Sequence, residues 1–168
     1  MAAPDQERRQ GREGGSAPPY VAYKTFKNLL ESLRITMPGR IDRSVMHTMS
    51  GGAQSQMLHT LRTMDLISQN GVPTETFRNL VAGDEDQRRK ALRSALNAGY
   101  PFLFSGSVDL ATATGKQLLE QFENAPVTGD TVRRSVSFFL AAAKDAGIPL
   151  SPYFDKIQAR AGGKRNGG

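Results

Sequence analysis

The chain has 168 residues, room for one ordinary domain or for two small lobes that share a core. Its 38% hydrophobic and 23% charged residues are those of a soluble globular protein, and no apolar run approaches the roughly 20 residues of a bilayer span, so no membrane partner is expected. The absence of cysteine removes disulfides and thiolate metal sites and fits a reducing, cytoplasmic setting.

The net charge of +6 is unevenly spread. Basic and acidic side chains number three and three over residues 1–19, seven and four over 20–82, four and four over each of 83–113 and 114–154, and four and one over 155–168. The excess therefore lies in the first half and at the C-terminus. Such a balance favours a polyanionic partner without singling out nucleic acid.

Residues 1–19 are rich in Gly, Pro, Gln, Arg and Glu, with no aliphatic side chain larger than Ala after Met1. They predict a disordered tail and lack the apolar stretch of a secretory signal. Phe26, Leu29, Leu30 and Leu33 then fall on one stripe of a helix from about Tyr23 to Arg34. Asp42 can cap a short helix carrying Val45 and Met46. Ser50 can cap a longer one presenting Ala53, Met57, Leu61 and Met64. Asn70-Gly71 between Leu66-Ile67 and Val72 is a tight-turn signal sufficient for a short two-stranded wing.

Thr74 can cap a short helix bearing Phe77, Leu80 and Val81. Asp84 opens a charged helix whose buried side is Ala91, Leu92, Ala95 and Leu96. Tyr100 to Phe104 forms an aromatic plug. Docking one lobe on the other suits it better than base stacking, because no basic residue interleaves its aromatics. Gly115 to Phe122 predicts another helix, Asn124 to Val127 a sharp turn, and Thr128-Gly129-Asp130 the start of a longer helix with Val132, Val136, Phe139, Leu140 and Ala143 towards the core. Residues 155–168 read as a basic, flexible tail.

A weak internal repeat accompanies this order. Ser50-Gly51 opening a helix, then Asn70-Gly71-Val72-Pro73-Thr74, is echoed by Thr128-Gly129 opening a helix, then Ala146-Gly147-Ile148-Pro149-Leu150-Ser151. The expected fold is mainly α: two packed helix-turn-helix or winged-helix-like units, over 20–82 and 83–154, with at most a short wing in the first. Chance similarity between two helix-plus-turn segments is the alternative.

The second unit carries the better DNA-binding chemistry. Thr128 can cap the helix while its first backbone N–H groups face a phosphate. Thr131, Arg133, Arg134 and Ser137 are expected on its exposed side, where arginine can fork onto guanine or hold a phosphate. A solvated face with an ordinary basic pair is the competing account. In the first unit Ser50, Gln54, Ser55 and His59 are expected to face outward. Arg40 and Arg43 can add backbone contacts there. Lys156, Arg160, Lys164 and Arg165 can reach phosphates as flexible arms do.

Catalysis is not expected. His47 and His59 lie on different predicted elements, and neither a phosphate-cradling glycine loop nor a Gly-x-Ser-x-Gly turn occurs. Asp84-Glu85-Asp86 stands at a helix start beside Arg88, Arg89 and Lys90, which suits the helix dipole and charge pairing better than a metal cage. No cofactor or metal is expected.

Pro38 to Val45, Leu66-Ile67 with Gly71 and Pro73-Thr74, Tyr100-Pro101, Thr128 to Val132, Phe138-Phe139, and Ala146-Gly147-Ile148 with Ser151 together carry a resemblance. Over roughly Tyr20 to Tyr153 the chain resembles an uncharacterised family of bacterial and archaeal proteins catalogued as a domain of unknown function. That resemblance implies a compact, mainly helical fold and supplies no catalytic residues. The Thr-Val-Arg segment is also similar to the recognition-helix start of winged-helix transcriptional regulators, although no clear wing follows Ile148 and no ligand-binding domain is visible. The expected function is non-catalytic binding of double-stranded DNA, possible for a homodimer on paired half-sites. The alternative is a protein–protein adaptor on the same scaffold.

Overall fold

The computed structural model describes residues 17–127 and 129–157. Six α-helices are found among them: α1 (Tyr23–Ile35), α2 (Gly51–Thr63), α3 (Glu75–Ala82), α4 (Glu85–Gly99), α5 (Gly115–Glu123) and α6 (Asp130–Asp145). Single 3-10 turns lie at Arg43–Met46, Pro101–Leu103 and Pro152–Phe154.

The helix starts follow the capping residues in the sequence. Ser50, Thr74, Asp84 and Thr114 each accept a hydrogen bond from the backbone N–H three residues on, and at Asp84 and Thr114 a glutamine side chain reciprocates to close a capping box. Asp42 caps the turn at Arg43–Met46, and the Ser44 hydroxyl and N–H that donate to it hold its carboxyl below the ordinary value.

The expected wing shrinks to one antiparallel bridge, Ile67 with Pro73, and no strand forms among the described residues. Two features stop it growing. Pro73 has no N–H to extend a ladder, and Thr74 turns at once into the cap of α3. Gly71 makes the turn with φ of 87°, and a Cβ there would stand 2.5 Å from the Ile41 carbonyl oxygen. Ile41 N–H in turn donates to the Gly71 carbonyl at 2.7 Å.

Helix α6 packs against α1, α4 and α5, while α4 also carries α3 and α2. Adjacent aromatics on α6 enter different clusters. Phe138 meets Phe26 at 5.4 Å and Tyr23 at 5.5 Å on α1, while Phe139 meets Tyr100 at 5.0 Å and Phe104 at 6.1 Å. These edge-on geometries match the charge distribution of the rings. The aromatics of Tyr100 to Phe104 pack on Phe122 and Phe139 of α5 and α6, within the second half of the chain. One apolar cluster runs continuously from Val21 to Phe154.

Residues 17–19, expected within a disordered tail, are packed: Pro18 and Pro19 are buried and Ala17 half-buried. Pro19 fits beneath Gly99, where a Cβ would come within 3.1 Å of its ring. Its carbonyl accepts from the Tyr100 hydroxyl at 2.6 Å and the Ser135 hydroxyl at 2.9 Å. The Ala17 carbonyl pairs with His59 Nε2 at 2.9 Å. Proline makes this burial cheap, since it brings apolar surface and no N–H to satisfy. At the other end Ile157, expected within a flexible tail, packs beside Gly115 at the start of α5.

Tyr100→Phe should cost about 1–2 kcal/mol of unfolding free energy, and adding Ser135→Ala should cost more, because the Pro19 carbonyl is then orphaned. Denaturant titration measures both. Burial pushes the Tyr100 phenol up, against the smaller opposing effect of Ser135. The folded chain therefore keeps a proton that the unfolded chain releases near pH 10.0. Stability should be undiminished by this group below that pH and decline above it, and Tyr100→Phe should flatten the decline.

Candidate nucleic-acid interface

The start of α6 is open. Gly129 is its N-cap, with φ of 59° and no side-chain cap, in place of the hydroxyl cap expected from Thr128; Thr128 lies outside the described residues. Arg133 and Arg134 stand on the exposed side, as expected, with side chains 49% and 58% accessible. Both lean towards Asp130, at 3.9 and 3.5 Å, and Asp130 is itself well exposed. Ion pairs this long and this wet hold little. Thr131 and Ser137, expected to be exposed, are half-buried. The reason is that α6 buries two adjoining faces: Ser135, Phe138 and Ala142 are covered as fully as Val136, Phe139 and Ala143.

Around α2 the structure corrects the sequence. Gln54 does not face outward: its amide donates to the Met46 and Met49 carbonyls at 2.9 and 3.1 Å. Arg43 donates to the Gly51 carbonyl, to Gln54 Oε1 and, at 2.6 Å, to the Ser55 hydroxyl, pinning the turn at Arg43–Met46 to the first turn of α2. Ser50 is spent as the cap and His59 on Ala17. The groups that could have read a base are employed in holding the chain. Arg40 stays exposed and donates through Nε to the Asn70 carbonyl at 2.8 Å, so it sits beside the Gly71 turn.

At the far end of α6 lies a cationic group that sequence windows conceal. Asp145 accepts from the Tyr23 hydroxyl at 2.8 Å and pairs with Lys27 at 3.4 Å. Burial, then this hydrogen bond, pushes the Tyr23 phenol up, against the opposing pull of the Arg88 guanidinium. Arg93 of α4 donates to the Ala146 carbonyl at 2.8 Å and so caps the last turn, and Lys144 is exposed beside it. Lys27, Arg88, Arg93 and Lys144 come from three helices. The one legible signal was Lys144 in the last turn before Gly147.

Lys164 and Arg165, like Arg160, lie outside the described residues. Among the described residues no group of three or more His, Asp or Glu side chains could hold a metal ion, and no helix is long and apolar enough to cross a membrane. Glu85 pairs with Arg89 at 2.8 Å, one helical turn on.

Replacing Arg43 by Ala should lower the thermal midpoint by an amount corresponding to about 1 kcal/mol, because three hydrogen bonds to α2 vanish together. Asp130→Ala should change it by under about 0.5 kcal/mol. Parallel melts followed by far-UV circular dichroism distinguish the two.

Neither a curated protein nor a solved structure shows significant similarity to the chain. The family of unknown function (DUF5343) matches residues 19–149, from the buried Pro19 to the Gly147 turn after α6 and its Arg93 cap, and the chain belongs to that family.

Proposed function

We propose that this protein binds double-stranded DNA without catalysis, through two helix-turn-helix units of winged-helix type. The hydrogen-bond order along the chain supports the two units. In the first, a helix (α1) leads to the segment holding Ile41, then a short helical turn, then α2, and the returning chain bonds Ile41 through Gly71. In the second, α4 leads to the segment holding Leu110, then α5, then α6, and the returning chain donates from Ser151 N–H to the Leu110 carbonyl at 2.7 Å. Each return opens on a glycine with positive φ, Gly71 or Gly147, continues with Val-Pro or Ile-Pro, and reaches a hydroxyl cap, Thr74 or Ser151. Helices α2 and α6 are then equivalent third helices, the position that enters the major groove in this class.

The observation that carries DNA binding is the pair of half-exposed arginines, Arg133 and Arg134, at the start of α6, where the N-cap Gly129 brings no side chain. Thr131 lies in the same turn, and Arg40 beside the Gly71 turn supplies a backbone contact in the first unit. Arg43 is committed to α2 and contributes by holding that helix. Thr128, Lys164 and Arg165 are further contacts in this reading. A protein–protein adaptor is the second reading, and its own observation is apolar: Ile35 is 87% exposed at the end of α1 and Tyr153 is 59% exposed.

Fluorescence anisotropy of a labelled duplex at low and moderate salt tests the DNA reading. Wild type should bind at low salt and weaken steeply as salt rises. Arg133→Ala/Arg134→Ala should bind roughly tenfold or more weakly, with a shallower salt slope. No binding by wild type at low salt overturns it.

A further inference from the structure

We infer that α6 meets duplex DNA along its whole exposed length, with cations at both ends holding phosphates on the two walls of the major groove. This rests on the DNA-binding reading and goes beyond it, since that reading needs only the first turn of the helix.

Arg133, Ser137, Ala141 and Lys144 recur at i, i+4, i+8 and i+11, one stripe of the helix, with Arg134 along its edge. This is also the side the packing leaves open: Arg133, Arg134 and Lys144 are exposed and Ser137 and Ala141 half-exposed, while Val136, Phe138, Phe139, Leu140, Ala142 and Ala143 are buried. The middle of the stripe is small and uncharged, so a nucleic-acid surface can approach the helix backbone there. Its ends are cationic. Arg133 and Lys144 are separated by eleven residues, about 16 Å of helix rise. A major groove is about 12 Å wide, so side chains at the two ends of such a rod reach the phosphates flanking it.

The far end is reinforced from outside the helix. Lys27 reaches it from α1 through Asp145, and Arg93 from α4 through the Ala146 carbonyl. The stripe itself carries Arg133, Arg134 and Lys144 against Asp130, with Lys27 paired to Asp145 and Arg93 bonded to the Ala146 carbonyl at its far end. The even balance of residues 114–154 conceals this, because Glu120 and Glu123 belong to α5 while Lys27 and Arg93 arrive from elsewhere in the chain.

The test uses the full chain, a labelled duplex of about two helical turns, and a salt series, with three variants: Arg133→Ala/Arg134→Ala, Lys144→Gln and Ser137→Glu. Lys144→Gln should weaken binding about three- to tenfold whatever the DNA sequence, and reduce the slope of log affinity against log salt by about 1. Ser137→Glu puts a carboxylate in the middle of the track and should weaken binding at least about tenfold. Thermal melts confirm that each variant is folded; Lys144→Gln, at an exposed position, carries the test alone if Ser137→Glu does not fold. If wild type binds and the arginine pair matters while folded Lys144→Gln and Ser137→Glu bind like wild type, the full-length track is overturned and the first-turn contact survives. If wild type does not bind, both fall.

Discussion

A single backbone oxygen, that of Pro19, holds the segment before α1 to the end of α4 and to α6. It lies in a dry interior and accepts from two hydroxyls, one on the residue that closes α4 and one on α6. An unmatched carbonyl in that place would be costly, so the chain before α1 must lie where Tyr100 and Ser135 can both reach it. The same tyrosine stacks edge-on against Phe102, Phe122 and Phe139. Polar satisfaction and aromatic packing therefore fix one arrangement of α4, α5 and α6, and each loses its geometry without the other.

That arrangement decides what α6 can offer. Its adjacent phenylalanines face two aromatic clusters, so most of the helix circumference is committed to the core and only one stripe is left to solvent. The exposed residues of the stripe are arginine, lysine and two aspartates; the half-exposed ones are serine and alanine. In α2 the polar residues that might have served a partner are drawn inward by Arg43, the turn at Arg43–Met46 and Ala17. The polar residues of α2 thus hold the chain together, whereas the arginines and lysine of α6 stay exposed.

The sequence disclosed the elements better than the surfaces. The stripe of Phe26, Leu29, Leu30 and Leu33 and the caps at Asp42, Ser50, Thr74 and Asp84 are local signals, set by residues within one turn of each other, and they translate directly into helices. The burial of Phe138 was hidden because a helix covered on two faces has no clean amphipathic period. Gln54 and His59 look like outward polar residues until the carbonyls of Met46, Met49 and Ala17 are brought to them. Composition places Pro18 and Pro19 in a tail, since nothing within twenty residues reveals that Tyr100 and Ser135 await the Pro19 carbonyl. Arg133 and Arg134 were legible as exposed; the cations that join them at the other end of α6 belong to distant stretches and become neighbours only in the fold.

The placement of Pro19 also shapes how the molecule can come into being. Its two hydroxyl partners lie 81 and 116 positions further along, so a chain emerging from the ribosome makes this strap first and its anchors much later. Until Ser135 has been synthesised the Pro19 carbonyl lacks its second donor, and helices α1 to α3 emerge before the α6 surface on which α1 packs. Closure over such separations is slow compared with helix formation, so the Pro19 contact forms after the helices that it joins.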